Sequence, residues 1–349
     1  MDADQDTDSF RELIGSDIRS LEQELEKKET ARNCLIVKPV NQWIEDAKGR
    51  PIPNMLFSEF WYENELCILY ADTNLGKSIL AVQIAQSISS GVAIDNFQLE
   101  AKPQRVLYLD FELSDKQFEK RYSEDYRDHF KFHTNFLRAE INPLVDIPKE
   151  FKGMEDYLCD QLNGIIKKHG AEVVIIDNLT FLRNDNEKAK YALELMKQLK
   201  RITKESSISI LVLAHTPKRD ESRPISKNDL AGSKMLINFC DSAFAIGSSQ
   251  VDPSQRYIKQ IKQRNTEHLY HTENVIICNL EKKFNFLQFR FLYHDSERNH
   301  LKTQNHTGLE ERDEEMAGLI SEGLSNVAVA ARLGISEAGV RKRRRKLNM

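Results

Sequence analysis

The chain has 349 residues and a formal net charge of −4, a length that suits two domains or one large domain with appendages. Its 40 % hydrophobic content supports a sizeable packed core, and only 14 glycines and 9 prolines exclude a fibrous or low-complexity chain. No run approaches the roughly 18 apolar residues of a spanning helix, and the acidic start has the wrong charge for a secretory signal, so a cytoplasmic protein without membrane contact is expected.

Residues 1–29 carry a charge balance of −6. Within them Ser16 to Arg32 reads as a short amphipathic helix with Ile18, Leu21 and Leu25 on one face, so residues 1–33 are taken as an acidic helical segment. Pro39, Pro51 and Pro53 mark an irregular stretch. From there strands and helices alternate. Leu66–Tyr70 is a buried strand, Lys77–Ser90 a helix, and Arg105–Asp110 a second strand. Phe151–His169 is a helix, Val173–Ile176 a β-branched strand, Glu187–Lys204 a long helix and Ile208–Ala214 a fourth strand. Apolar strands separated by helices predict a mainly parallel sheet covered on both faces. Ser242–Ile246, Arg256–Gln263, Glu273–Asn279 and Phe286–Tyr293 are expected to extend it as antiparallel strands. The α/β core so defined spans 34–295, a polar linker 296–309, and a small all-helical domain 310–349. The five cysteines are scattered, form no CxxC pair, and read as reduced core thiols with neither zinc nor disulfide implied.

Ala71-Asp72-Thr73-Asn74-Leu75-Gly76-Lys77-Ser78 follows a strand and opens a helix, the pattern of a phosphate-binding loop with Ala71 where a glycine usually stands. Such a loop turns backbone N–H groups inward around phosphates, and the helix N-terminus adds its positive end. Lys77 supplies a point charge to the outer phosphates, and the Ser78 hydroxyl can ligate Mg²⁺. A magnesium-directing carboxylate is expected on a neighbouring strand, and Asp177 closes Val173–Ile176 where open α/β sheets build their sites. ATP and Mg²⁺ are the cofactors this implies. Hydrolysis also needs a group that orients water. Asp110 and Glu112 both end the second strand, alternation points them to one face, and Glu112 is favoured because it lies nearer the carboxyl end; it could equally cap the helix near Ser114. His215 ends the fourth strand at the same edge, where it could sense the γ-phosphate.

Phe60 to Ile88, Tyr108 to Arg121, Val173 to Asn178 and Ile210 to His215 together resemble the RecA-superfamily ATPases, in particular the plasmid-encoded hexameric replicative helicases of the RepA type and their DnaB-like relatives. The resemblance covers about residues 50–295. It implies that Glu112 polarises the attacking water and that His215 is the γ-phosphate sensor. It further implies that Lys262 and Arg264, in Lys-Gln-Arg-Asn, act in trans on a neighbouring subunit's nucleotide, with Arg264 as arginine finger. The polar stretch 217–232 holds Lys218, Arg219, Arg223 and Lys227, and by the same resemblance would line a central channel and grip single-stranded DNA. A surface loop without a ligand is the alternative.

Residues 332–349 carry a balance of +6, so the near-neutral total conceals two separated ends. Gly323 to Arg341 has small Ala331 and Gly334 at a turn, apolar Val327, Leu333, Ile335 and Val340 for packing, and Ser325 and Ser336 as N-caps. It resembles the helix-turn-helix of LuxR-type regulators and of resolvase-like recombinases. Arg341, Lys342, Arg343, Arg344, Arg345 and Lys346 then form the expected duplex-DNA contact. The whole reads as a RecA-like ATPase core with a helix-turn-helix. The expected activity is a DNA-dependent ATPase, as a hexameric replicative helicase of a plasmid or mobile element. The alternative is an ATP-switched DNA-binding regulator, or a partition or assembly ATPase, that never unwinds.

Overall fold

The computed structural model describes residues 35–142, 144–151, 153–178, 188–217, 219–230, 234–302 and 306–346. The expected helix Ser16–Arg32 and the candidate Lys218 lie outside them. Met1–Ile52 and Pro53–Met349 are separate compact units. The first holds helix α1 (Val40–Lys48), which the prolines bracket rather than break: Pro39 is its N-cap, and proline is well tolerated at a helix start. It buries no residue and leaves Val40, Trp43 and Ile44 exposed.

The second unit begins with a small antiparallel ribbon, β1 (Met55–Phe57) and β2 (Trp61–Tyr62). Its main sheet has nine strands: β3 (Leu66–Ala71), β4 (Val106–Asp110), β7 (Phe136–Ala139), β8 (Val173–Asp177), β9 (Ser209–His215), β10 (Ser242–Ser248), β11 (Gln255–Lys262), β12 (Val275–Lys283) and β13 (Phe286–Asp295). They lie in the order β13-β12-β11-β10-β3-β9-β8-β4-β7. A two-stranded ribbon of β5 (Ser123–Glu124) and β6 (Asp128–His129) stands apart.

Alternation along β3 divides the core into two layers. Leu66, Ile68 and Tyr70 face one cluster with α4 (Met154–His169) and α5 (Lys188–Ser206), which contribute Leu162, Ile166, Leu195, Met196 and Leu199. Cys67, Leu69 and Ala71 face the other, with Leu80, Ile84 and Ile88 of α2 (Lys77–Ser90). This is the α/β fold with a parallel sheet covered on both faces. Cys67, Cys159, Cys240 and Cys278 are free and buried within it.

Two expectations need correction. β10 pairs parallel with β3, so the antiparallel extension begins only at β11. Its run Ala243–Ile246 is uniformly apolar, as in a strand buried on both faces, and the short helix α6 (Lys234–Phe239) supplies the crossover. Strand β7 has only partly buried residues and no apolar run, which is why its sequence does not announce it. It adds a parallel edge strand beside β4. Within the polar stretch expected as a linker, Glu297–His300 is not simply solvated. A 3₁₀ turn at Glu297–His300 buries both of those residues, with Glu297 paired to Lys259 Nζ at 2.5 Å. Polarity signalled solvent, but here it is a buried, fully partnered charge pair.

The last three helices are α7 (His306–Ser321), α8 (Asn326–Leu333) and α9 (Glu337–Lys346). Met316, Leu319, Val329, Ala330 and Val340 form their buried core, with Leu333 packed against it. Val327 and Ile335, expected inside, are 62 % and 38 % exposed. Gly334 closes α8 in the left-handed region at φ 63°. Ser325 accepts from Ala328 N at 3.3 Å, and Ser336 accepts from Gly339 N at 3.1 Å.

Candidate active site

The carboxyl ends of β3, β4, β8 and β9 converge on one cleft. After β3 the chain turns through Asn74 at φ 63° and Gly76 at φ 94° before α2 begins. Gly76 is required twice over: a Cβ there would lie 2.9 Å from the Phe289 ring, and its φ strains any L side chain. Ala71 has no such demand. It still belongs to β3, pairs with His215 and Ile246, and accepts from Thr216 N at 3.0 Å. Replacing the usual glycine therefore costs nothing here. No side chain caps α2, so its first N–H groups remain open to an anion. The cleft holds about 320 Å³ and is lined by Thr73, Asn74, Gly76, Lys77, Ser78 and, across from them, Glu112, Arg121 and His215. A larger cavity of about 520 Å³ lies between α2 and the β12–β13 hairpin and contains none of the candidate residues.

Lys77 is 6 % exposed, and burial lowers its pKa. Its ammonium donates to Ala71 O and Asp72 O, each at 3.0 Å, and lies 3.1 Å from His215 Nδ1. An ammonium only donates, so Nδ1 accepts and the neutral ring carries its proton on Nε2. That nitrogen is 3.5 Å from Glu112 Oε1, to which it can donate, and Asn178 Nδ2 donates to Glu112 from beside it. The hydrogen bond from His215 holds the Glu112 carboxyl below its ordinary range, helped by the Lys77 charge. Glu112 is thus an anion suited to aiming a water more than to capturing a proton outright.

Asp177 is fully buried, and burial pushes its carboxyl up to about 6. Tyr108 donates to its Oδ2 at 2.5 Å, Ser78 lies near enough to oppose the shift, and Oδ1 is buried with no hydrogen-bond partner among the described residues. An orphaned carboxylate oxygen beside a serine hydroxyl fits Mg²⁺ and its water shell. No group of three or more His, Cys, Asp or Glu able to hold a metal ion is found among the described residues, so a metal here would take its remaining oxygens from water or a phosphate.

Asp110 does not share the role of Glu112. The sheet pairing of β4 stops at Asp110, and this buried carboxylate folds back onto its own backbone, whereas Glu112 stands past the strand end in the cleft. Two residues were missed by the sequence reading. Asn178 follows Asp177 and donates to Glu112 beside His215. Arg121 ends α3 (Asp115–Arg121), lines the cleft, and has a buried Nη1 without a partner among the described residues. Each stands one residue beyond or at the end of an element that was itself legible.

Lys262 and Arg264 stand at the opposite end of the sheet. Ala71 pairs with Ile246, but Lys262 pairs with Ala243, whose neighbour Ser242 pairs with Cys67 at the other end of β3. Lys262 Nζ caps the C-terminus of α6 through Ile237 O at 2.5 Å and Cys240 O at 2.7 Å. Arg264 is half exposed and touches Asp241 Oδ1 at 3.3 Å. In the basic stretch, Arg223 and Lys227 are exposed, while Arg219 turns toward the Tyr257 hydroxyl at 3.5 Å. Tyr70 ties this stretch to β3 by donating to Ser226 O at 2.7 Å. On α9, Arg341, Lys342 and Arg345 point to solvent. Arg343 turns inward to Asp313 at 2.5 Å, and Arg344 reaches Asn326 Oδ1 at 3.2 Å.

Residues 35–221, more than half of the chain, match the family described as an AAA domain. The chain belongs to that family, a class of nucleotide-binding, nucleotide-hydrolysing domains, and the match spans Lys77, Glu112, Asp177 and His215. Among curated proteins, none matches this chain. No helix among the described residues is long and apolar enough to cross a membrane.

Proposed function

We propose that this chain is a DNA-dependent ATPase working in a ring, the replicative helicase motor of a plasmid or other mobile element. The observation that carries the reading is the placement of Arg264. It stands half exposed at the sheet end remote from its own cleft, so it is free to meet the cleft of a second copy. A guanidinium is worth presenting there if it neutralises charge on a transferring γ-phosphoryl. Lys262 serves that edge from within, by holding the end of α6 beneath Arg264.

In this reading the open N–H groups of α2 and the turn at Gly76 cradle the phosphates. A phosphate oxygen competes with His215 for the Lys77 ammonium, whose other two contacts are loop carbonyls. His215 and Asn178 keep the Glu112 carboxylate aimed at the attacking water. Ser78 and Asp177 would hold Mg²⁺, which neutralises phosphate charge when bound. Arg223 and Lys227 contact the backbone of single-stranded DNA, with Arg219 and Lys218 in the same stretch, and the α7–α9 unit grips duplex DNA through Arg341, Lys342 and Arg345. A hexamer is the expected assembly.

A second reading is supported by that unit: an ATP-switched DNA-binding regulator, or a partition or assembly ATPase, needs only a docking helix and a nucleotide cleft. A strand-displacement assay on forked DNA with ATP and Mg²⁺, run beside phosphate release, separates the two. Hydrolysis with displacement is expected, and DNA-stimulated hydrolysis without displacement would favour the regulator.

A further inference from the structure

Glu112 stands on a turn, not on a strand, so something must fix that turn. Strand β4 ends at Asp110, and the chain then bends toward the cleft. Asp110 Oδ1 accepts from the backbone N–H of Glu112 at 3.2 Å and of Leu113 at 2.9 Å. Phe111 N donates to Asp177 O at 2.8 Å. The remaining Asp110 oxygen accepts from Arg138 Nε at 2.9 Å. Arg138 comes from the edge strand β7, and its Nη2 also donates to Leu113 O at 2.7 Å. Nη1 donates to Asp115 in the first turn of α3 at 2.8 Å, and the guanidinium stands 4.9 Å over the Phe118 ring. Glu140 pairs with the same group. The Asp110 side chain is wholly buried and that of Arg138 only 20 % exposed.

This one guanidinium therefore touches β4, the turn, α3 and β7 together, with a planar fork that an ammonium could not reproduce. The phosphate loop follows β3, which β9 and β8 separate from β4. Loosening the turn would leave the phosphate cradle in place while the Glu112 carboxylate drifts.

We propose that Asp110 and Arg138 are positioning residues for Glu112, fixing the turn that aims its carboxylate at the attacking water. The proposal rests on reading Glu112 as the group that orients that water. A misplacement of about 1 Å at a reacting centre costs on the order of a hundredfold in rate.

The test uses the full chain, with steady-state ATP hydrolysis and binding of a fluorescent ATP analogue. Arg138→Met is expected to lower kcat more than about tenfold while KM and analogue affinity stay within about twofold. Arg138→Lys should recover only part of the loss. Because Arg138→Met strands a buried carboxylate, the pair Asp110→Asn/Arg138→Met removes both charges and keeps the test open if the single variant fails to fold. Wild-type hydrolysis in Arg138→Met or in the pair would overturn the proposal, as would affinity falling in step with kcat. Placing Arg138→Met in the Glu112→Gln background separates the two readings. A residue acting through Glu112 adds no further loss there, and an equal loss in both backgrounds would mean an independent role. If Glu112→Gln alone keeps full hydrolysis, the reading of Glu112 fails first and the positioning role with it.

Discussion

The two ends of the parallel strands are built on different plans. At the carboxyl ends, Lys77, Glu112 and His215 line an open cleft, and the buried Asp177 at the end of the neighbouring strand keeps one oxygen, Oδ1, with no protein partner among the described residues. At the amino ends, Glu65, Lys200, Asp241, Lys262 and Arg264 also gather, but pair with one another and with backbone groups. Asp241 accepts from Lys200, Leu66 N and Arg264, and Lys262 is spent on helix carbonyls. Of these five, only Arg264 is markedly exposed. One end is shaped to receive a ligand and the other to present a side chain. In the ring proposed above, each end would hold half of a catalytic site, completed only between copies.

The comparison breaks first if the receiving end is not catalytic. Lys77→Ala should abolish hydrolysis, a loss of at least about a hundredfold, while duplex binding by the α7–α9 unit persists. Phosphate release and a duplex-binding titration measure the two, and unchanged hydrolysis would remove the cleft from the mechanism. The next effect addresses the presenting end. Arg264→Ala and Glu112→Gln should each lower kcat about a hundredfold or more alone. Mixing the two variants should restore part of the activity, because some interfaces then combine an intact finger with an intact Glu112. No recovery from rings shown to be mixed argues that Arg264 does not act in trans.

A smaller effect concerns the metal side of the cleft. Burial pushes the Asp177 carboxyl up to about 6, and its anion is the form suited to ligate a cation. Apparent magnesium affinity in the ATPase assay should be flat above that pH and weaken by up to about tenfold per unit below it. A magnesium half-saturation that stays constant from pH 7.5 to 5 would show that Asp177 is not the ligand. On α9, Lys342→Ala or Arg345→Ala should lower the salt slope of duplex binding by about one each. Arg343→Ala should leave that slope intact and lower the thermal midpoint of the α7–α9 unit, since Arg343 is committed to Asp313.

These contrasts also mark what could be read from the chain itself. Lys77, Ser78 and Asp177 were legible because strand, loop and helix periods fix their places. Glu112 and His215 followed from the strand ends. Strand β7 was not legible, since its burial comes from pairing with β4 and not from an apolar run. Arg138 was lost with it. Alternation put Asp110 on one face with Glu112 because it presumes that a strand continues, and this one stops. In α9, six consecutive basic residues looked alike until packing turned Arg343 and Arg344 inward.

A last effect, on stability and not on turnover, lies at the presenting end. Glu65 is 3 % exposed, and burial pushes its carboxyl from 4.5 up to about 7. It accepts from Ser242 Oγ at 2.6 Å and from Asn265 Nδ2 at 2.8 Å, the residue after Arg264. Its folded value exceeds its unfolded one, so the folded protein holds this proton more tightly. That contribution is fully present below pH 4.5 and is lost as pH rises through about 7. The gap amounts to about 3 kcal/mol at most. Glu65→Gln keeps the shape without the titration, so the wild type should lose stability relative to it between pH 5 and 8. Urea unfolding of both proteins across that range measures the difference. A difference that does not move with pH would mean that the Glu65 carboxyl is not the group whose burial strains this edge.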